Sequence, residues 1–524
     1  MIQRKEHVKR ISSILFAAAM LAGVATGCKS VTKSSDQSSS GSSQSISLKI
    51  LCPNYCDTSV IDNSPPFQKL EELTNSKITM QWSPAASYQD KFNVLMASNN
   101  LPDVVIVPDL KSAVFTDAVA GNQFWQLDSY LSNSAFPNFK NINKISITNT
   151  KTNGKSYVLP RERILKRQMI VYRADWAKAA GLGAPDTVEK VYNMAKAFAN
   201  GDYDGNGKKD TIGLMLSTSS DTGGGASKID VIQPLTVANG GYNSWGLSGG
   251  KVQSVYDTQP YMDTMDLLRK MYGEGLISPD FSLVTSTDVV TKYVDTEKTG
   301  LWVNTGIPGT SDALLKAKQK TNSSLTRKDI YGYTYLKDSK GNDRVPAETG
   351  FNGGVAFPKS ATKNAARLKQ LLSVWNVICG KDGQILVNNG VEGRNYTVVS
   401  ETDKTAKQPD TNLNTKELSD IGQLGVTAGL AYTWYDDDIG AQLTHDRNTY
   451  KSSDLINDVS VPLTSQTYSS SVSTLNKIID EAQFKYIMNK ETKDQFQSDI
   501  KSWKSAGGDK EAQEYTTSYN ASKK

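Results

Sequence analysis

Between residues 46 and 109 the hydrophobic period changes at every element, and this alternation constrains the fold more than anything else in the chain. Ile46 to Leu51 reads as a short strand and Phe67 to Thr74 as a helix. Lys77 to Trp82 reads as the next strand, Tyr88 to Ser98 as the next helix, and P-D-V-V-I-V-P-D at 102 to 109 as an apolar buried strand. A β-α-β-α-β order needs crossover helices, which implies an α/β fold with a mainly parallel sheet. A further strand is expected near Ser156 to Leu159, with an extended segment at Met169 to Arg173. A helix opens at Asp186, where Asp186 and Glu189 have capping-box spacing and Val188, Val191, Ala195 and Phe198 share one face. Tyr261 to Glu274, Thr362 to Cys379 and Leu475 to Met488 are helical, the last with Leu475, Ile479, Ala482 and Tyr486 in phase. Phe496, Ile500 and Trp503 mark one more helix, stopped by Gly507-Gly508. No tandem repeat is visible.

The N-terminus addresses the chain. Arg4, Lys5, Lys9 and Arg10 form a positive n-region, and Ile11 to Val24 is an apolar stretch too short to span a bilayer as a mature helix. It ends in A-T-G-C, with small residues before Cys28, although Ala25 sits where Leu is commoner. This reads as a lipoprotein signal over 1–27, with Cys28 the lipidated first residue of the mature protein and the Ser-rich 28–45 a flexible tether. A coil of that length reaches roughly 20 to 25 Å, so the folded body sits just off the outer face of the membrane. Removing 1–27 takes away four cations and Glu6, which lowers the formal +5 to +2. So balanced a chain implies no nucleic-acid partner and no membrane contact beyond its anchor. The remaining length exceeds what one core organises, and at least two lobes are expected.

With only His7 and His445 in the chain, a histidine-built zinc site or a Ser/His/Asp triad is nearly excluded. Cys52 and Cys56 would lie roughly 13 Å apart on a strand, beyond disulfide reach unless Pro53-Asn54 turns. Cys379 reads as a buried thiol.

The stretch D-Y-D-G-N-G-K-K-D at 202 to 210 carries the clearest ligand chemistry. Asp202, Asp204, Asn206 and Asp210 occupy positions 1, 3, 5 and 9 of a calcium loop, Lys208 offers its carbonyl at position 7, and Gly207 permits the turn. The bidentate Glu expected at position 12 is replaced by Gly213. The loop therefore reads as a structural calcium clip rather than a switch; the plainer reading is a metal-free Asx turn.

Taken in order, the lipobox, the Ser-rich tether, L-P-D-V-V-I, G-K-S-Y-V-L-P (154 to 160), Y-R-A-D-W (172 to 176), D-x-D-G-N-G-K-K-D-T-I-G-L (202 to 214), G-V-E-G-R-N-Y (390 to 396) and the late A-G-G-D (506 to 509) resemble one family across essentially the whole chain. It is that of the extracellular solute-binding proteins of carbohydrate ABC transporters, and specifically its long alginate-binding and LipO-type lipoprotein branch. The resemblance implies a periplasmic-binding-protein type II fold, two α/β lobes joined by crossover strands with the ligand cleft between them. One lobe would hold 46–163 with 305–358, the other 164–304 with 359–524. It implies a monomeric, lipid-anchored receptor that hands an oligosaccharide to ABC permease subunits. It also implies calcium on Asp202, Asp204, Asn206, Lys208 and Asp210, with Thr211 standing where relatives supply a further Glu.

A sugar cleft needs aromatic faces for pyranose C–H surfaces and planar polar groups for paired hydroxyls. Eight Trp and 23 Tyr are available, many in Gly/Asn-rich loops. The candidates are Tyr55, Trp82, Asp109, Tyr242, Trp245, Trp302, Asn304, Arg394, Trp434 and Tyr435; for any one of them alone, packing is the plainer reading. Asp436-Asp437-Asp438 reads as a solvated loop, with a sugar or second-cation role as its alternative. Two competing functions are a receptor for peptides or another small solute on the same fold and a secreted glycoside hydrolase. The hydrolase would need paired carboxylates about 5 to 9.5 Å apart, and no catalytic motif appears.

Overall fold

The opening alternation folds as its periods require. In the computed structural model, which describes residues 45–56, 61–218, 227–307, 311–435 and 438–523, the first strands are β1 (Ile46–Asn54), β2 (Ser76–Pro84) and β3 (Val104–Val107). β1 pairs in parallel with β2, from Ile46 opposite Ser76 to Asn54 opposite Pro84, and with β3 on its other side. The connecting helices are Pro65–Thr74 and Ala85–Ala97. Ser64 caps the first, its side chain accepting from the Phe67 amide, and proline occupies the first turn, where no N–H is needed. Every residue of β3 is buried, which is why it reads as an unbroken apolar run.

The sheet is completed from far along the chain. Strand Phe351–Ala356 runs antiparallel to β3 and to β4 (Val158–Glu162), giving the order β2, β1, β3, 351–356, β4. At its centre Gly353 adopts φ +70, and a Cβ there would lie 2.3 Å from the Val107 carbonyl, so glycine lets the two strands close.

A second sheet has β5 (Met169–Arg173) at its centre, antiparallel to Leu301–Asn304 and to Tyr331–Thr334. It is buried on both faces. Ile170 and its partner Val303 face one apolar core with Val191, Phe198 and Leu475; Val171 and Trp302 face another with Ile330 and Tyr331.

The apolar cores gather segments that lie far apart in the chain. Helix Ala365–Ile378 sends Leu368, Leu371, Leu372 and Trp375 into the core of the first sheet, where Trp375 meets Phe357 edge-on at 5.7 Å. Ile307, Leu314 and Tyr331 pack instead with Leu165 and Met169 in the second body. The open face of the first sheet needs a covering helix, and the one just after strand 351–356 supplies it. Residues 45–524 together form one compact unit.

Two local expectations change. Thr187, not Asp186, caps helix Val188–Asn200, accepting from the Lys190 amide, because Asp186 is drawn into ion pairs with Lys190 and Lys337. Gly507-Gly508 does not end the structure. The chain makes a π turn at Lys504–Gly508 and continues as helix Asp509–Ser522, with Gly507 at φ +152 forming the kink. Cys52, Cys56 and Cys379 are free thiols, Cys379 buried as expected. No helix among the described residues is long and apolar enough to cross a membrane. Cys28 and the tether lie outside the described residues, as does the Asp436-Asp437 part of the acidic run.

Candidate functional site

Because β1, β2, β3 and β4 all run the same way, their carboxyl ends share one edge of the sheet, the place where open α/β sheets receive ligands. Tyr55 lies there just past β1. Its side chain is 61% exposed, and the Asp420 carboxylate fixes its backbone by accepting from the Tyr55 and Cys56 amides at 2.9 and 3.3 Å. Asp109 follows β3 and accepts from the Lys111 amide at 2.8 Å. Trp82, near the end of β2, is half-buried and donates its indole N–H to Asp62 at 2.9 Å.

Arg161 and Arg163, on and just past β4, stand at the same edge, and the sequence reading did not single them out. Arg161 is 7% exposed. Its guanidinium donates to the Asn352 carbonyl at 2.9 Å and to the Gln423 side-chain oxygen, while its Nε–H has no acceptor. The signal was present as alternate arginines leaving an apolar strand, but R-E-R-I-L-K-R reads as a charged linker.

The remaining candidates separate into three places. Trp434 and Tyr435 lie at the third strand of a small sheet formed by 397–400, 405–407 and 433–434. Trp434 is half-buried against Tyr396, Ala406 and Tyr432, and Lys407 sits 5.4 Å over the Tyr435 ring. Arg394, just before the first strand of this sheet, is committed to a two-point ion pair with Glu417 at 2.8 and 2.6 Å. Asn304 spends its side-chain oxygen on the Thr305 and Gly306 amides. The other three are packing residues. Trp302 is wholly buried against Tyr331, and Trp245 is 8% exposed, edge-on to Tyr515 at 5.2 Å. Tyr242 lies flat on Gly246, where a Cβ would come within 2.1 Å of its ring.

The first sheet's edge meets the second body at Lys111. Its ammonium donates to the Ser460 carbonyl at 2.9 Å and lies 5.1 and 5.3 Å over the Tyr468 and Tyr515 rings; the Ser469 hydroxyl donates back to the Lys111 carbonyl. The residue is half-buried by area with its ammonium enclosed, and burial lowers its pKa against Asp458, Glu511 and Asp109, which raise it. Burial likewise pushes Asp458 up to about 6 and Glu511 to about 7. A cavity beside this seam is lined by Leu110, Thr116, Asn149, Phe351, Leu463 and Tyr468. None of the sequence-predicted ligand residues lines it.

At the 202–210 loop the donors gather without a bare acidic triad, and no cluster of three metal-ligating side chains occurs among the described residues. Asp202 accepts from the Gly207 amide at 2.9 Å, and the Asn206 amide nitrogen bridges Asp204 and Asp210 at 2.8 and 3.0 Å. Gly205 and Gly207 take φ +74 and +82 to close the loop. A half-turn of the Asn206 amide points its oxygen to where its nitrogen stands, so the donor set fits a hard cation. Tyr203 anchors the loop on Trp176 and Phe198 at 5.6 and 5.5 Å. Thr211 is no ligand: its hydroxyl donates to the Phe198 carbonyl at 2.5 Å.

Tyr55, Trp82 and Asp109 thus stand at the ligand-receiving edge of an α/β body. No protein-family model matches the chain. It is 30% identical over 520 residues to lipoprotein LipO of Bacillus subtilis (strain 168), covering 98% of this chain and 99% of LipO. It is 30% identical over 515 residues to the polygalacturonan/rhamnogalacturonan-binding protein YtcQ of the same organism, covering 96% and 97%. The chain belongs to the family of extracellular solute-binding proteins of ABC transporters, in the branch that holds these two. The same fold is found in the HMO-binding solute-binding protein of Bifidobacterium longum infantis (TM-score 0.68, 17% identity, 91% of this chain and 99% of that one). It recurs in alginate-binding protein AlgQ2, solved without calcium ion (0.63, 17%, 91% and 98%). The EF-hand mutant of Streptococcus pneumoniae FusA, in complex with fructo-nystose, has it too (0.62, 16%, 90% and 99%).

Proposed function

We propose that this chain is a surface receptor, held by a lipid on Cys28, that captures an oligosaccharide between two lobes and delivers it to the permease of an ABC importer. The observation that carries the reading is end-to-end similarity to YtcQ, named as a polygalacturonan/rhamnogalacturonan-binding protein, together with a ligand edge formed by the strand ends. The lobes follow the cores: 46–163 with 351–435 around the first sheet, and most of the remainder around the second. The cleft lies between them, and Tyr55, Asp109, Trp82 and Trp434 are its candidate contacts. Closure over a ligand is favoured because only the closed form touches it from both sides. The 202–210 loop holds a structural calcium through Asp202, Asp204, Asn206, Asp210 and the Lys208 carbonyl, supported by the alternating oxygens and by the EF-hand named in FusA.

Calorimetric titration with plant and microbial oligosaccharides tests the reading. Saturable binding with the sugar recovered intact is expected. Cleavage of the added sugar would return the hydrolase, and binding of peptides alone would return the other receptor class.

A further inference from the structure

Arg161 is a buried guanidinium that makes no ion pair among the described residues. Its hydrogen-bond partners are both neutral, the Asn352 carbonyl and the Gln423 amide, and its Nε–H has no acceptor among the described residues. The groups whose charge would act on it are Cys52, Tyr55, Tyr88 and Arg163. Burial raises the Cys52 thiol and the Tyr88 hydroxyl far above neutrality, so neither supplies a negative charge, and Arg163 adds a second positive one. Asp420, the nearby carboxylate, acts on Cys52, and its two oxygens are taken by the Tyr55 and Cys56 amides. Glu162 alternates to the opposite face and accepts from the Asn143 amide. Arg163, half-buried, makes no side-chain ion pair among the described residues; only its backbone is engaged, donating to the Gly350 carbonyl.

An arginine remains charged at any physiological pH, and burying that charge unpaired is costly. Two arginines on one face of a strand, at a ligand-receiving edge, with free donors, make a fork for a planar anion. We infer that Arg161 and Arg163 form an anion subsite that takes the carboxylate of a uronic-acid residue in the captured oligosaccharide. The Gln423 amide oxygen occupies one of the positions a carboxylate oxygen would take. Gln423 is half-buried on the short helix Ile421–Leu424, so its side chain swings aside without disturbing the sheet. This rests on the oligosaccharide reading above and narrows it from sugars in general to acidic sugars.

The probes are trigalacturonate and the same trimer with its carboxylates capped as methyl esters, titrated against the whole chain at low and high salt. The acid is expected to bind about tenfold or more tightly than the ester, the preference shrinking as salt rises. Arg163→Gln should erase most of that preference, lowering affinity for the acid far more than for the ester. Arg161 is buried and its replacement risks the fold, so Gln423→Ala is the second variant; it should retain or sharpen the preference for the acid. Equal wild-type affinity for acid and ester, equal losses for both in Arg163→Gln, or tighter binding of a sulfated galacto-oligosaccharide would overturn the subsite. If neutral oligosaccharides bind and uronides do not, the subsite fails while the receptor reading stands; if no oligosaccharide binds, both fall.

Discussion

Two tryptophans show why residue type alone does not define a sugar site. Trp245 and Trp434 both sit in loop-like sequence near glycine and tyrosine, yet one is locked edge-on to Tyr515 in a core and the other lies half-open on a three-stranded sheet. Trp245→Ala should therefore cost about 3 to 5 kcal/mol of stability, the range for emptying a buried aromatic position. Trp434→Ala should leave folding nearly intact and weaken oligosaccharide binding by roughly 1 to 3 kcal/mol, as loss of a contact aromatic does. Denaturant melts and calorimetry on both variants check the pair; an unchanged affinity in Trp434→Ala would make that residue structural as well. No local pattern separated these cases in the sequence, because what decides them is contact with Trp503 and Tyr515, hundreds of residues away. Arg161 escaped notice for the same reason. That its partners among the described residues are all neutral is a property of the folded neighbourhood and cannot be read along the chain.

Elements were more legible than residues. The apolar run at β3 and the in-phase helices were found because burial on one or two faces writes its period into the sequence. What escaped was the helix Asp509–Ser522, hidden behind two glycines that bend the chain tightly against Trp503 rather than ending it. Cap identity also escaped, since Asp186 is an adequate cap that long-range pairing with Lys337 withdraws. The 202–210 loop was legible as a run of alternating oxygen donors and belongs to this scale, because it fixes how helix Val188–Asn200 leaves its core through Tyr203 and Thr211. Chelator should lower the melting midpoint of the wild type by an amount set by free calcium over its dissociation constant, and Asp204→Ala should melt low with or without chelator. Sugar affinity at a temperature where the fold persists should stay the same. A midpoint that ignores chelator, with no calcium found by elemental analysis, would leave the loop a plain turn.

At the scale of the whole molecule, the seam at Lys111 couples the two bodies to pH. Asp458 is pushed from 3.8 to about 6 and Glu511 from 4.5 to about 7, chiefly by burial. Each therefore holds its proton more tightly in the folded than in the unfolded chain. The sign follows: their contribution to stability is present below the ordinary carboxylate values and is lost as pH rises through 6 to 7. The melting midpoint should fall across that interval, and Glu511→Gln should flatten the fall; a midpoint that rises there would remove this account of the seam. The strand at 351–356 has a consequence in time rather than in energy. It sits between β3 and β4, and its last residues run straight on toward the covering helix at 365–378, so the first core is assembled from the two ends of a long detour. Until residues 351–356 have been made, β3 lacks a neighbour on that side, and an apolar strand stands with unpaired backbone groups along its edge. Such chains fold slowly and expose sticky intermediates, so a polypeptide interrupted before residue 351 leaves that edge open to other chains.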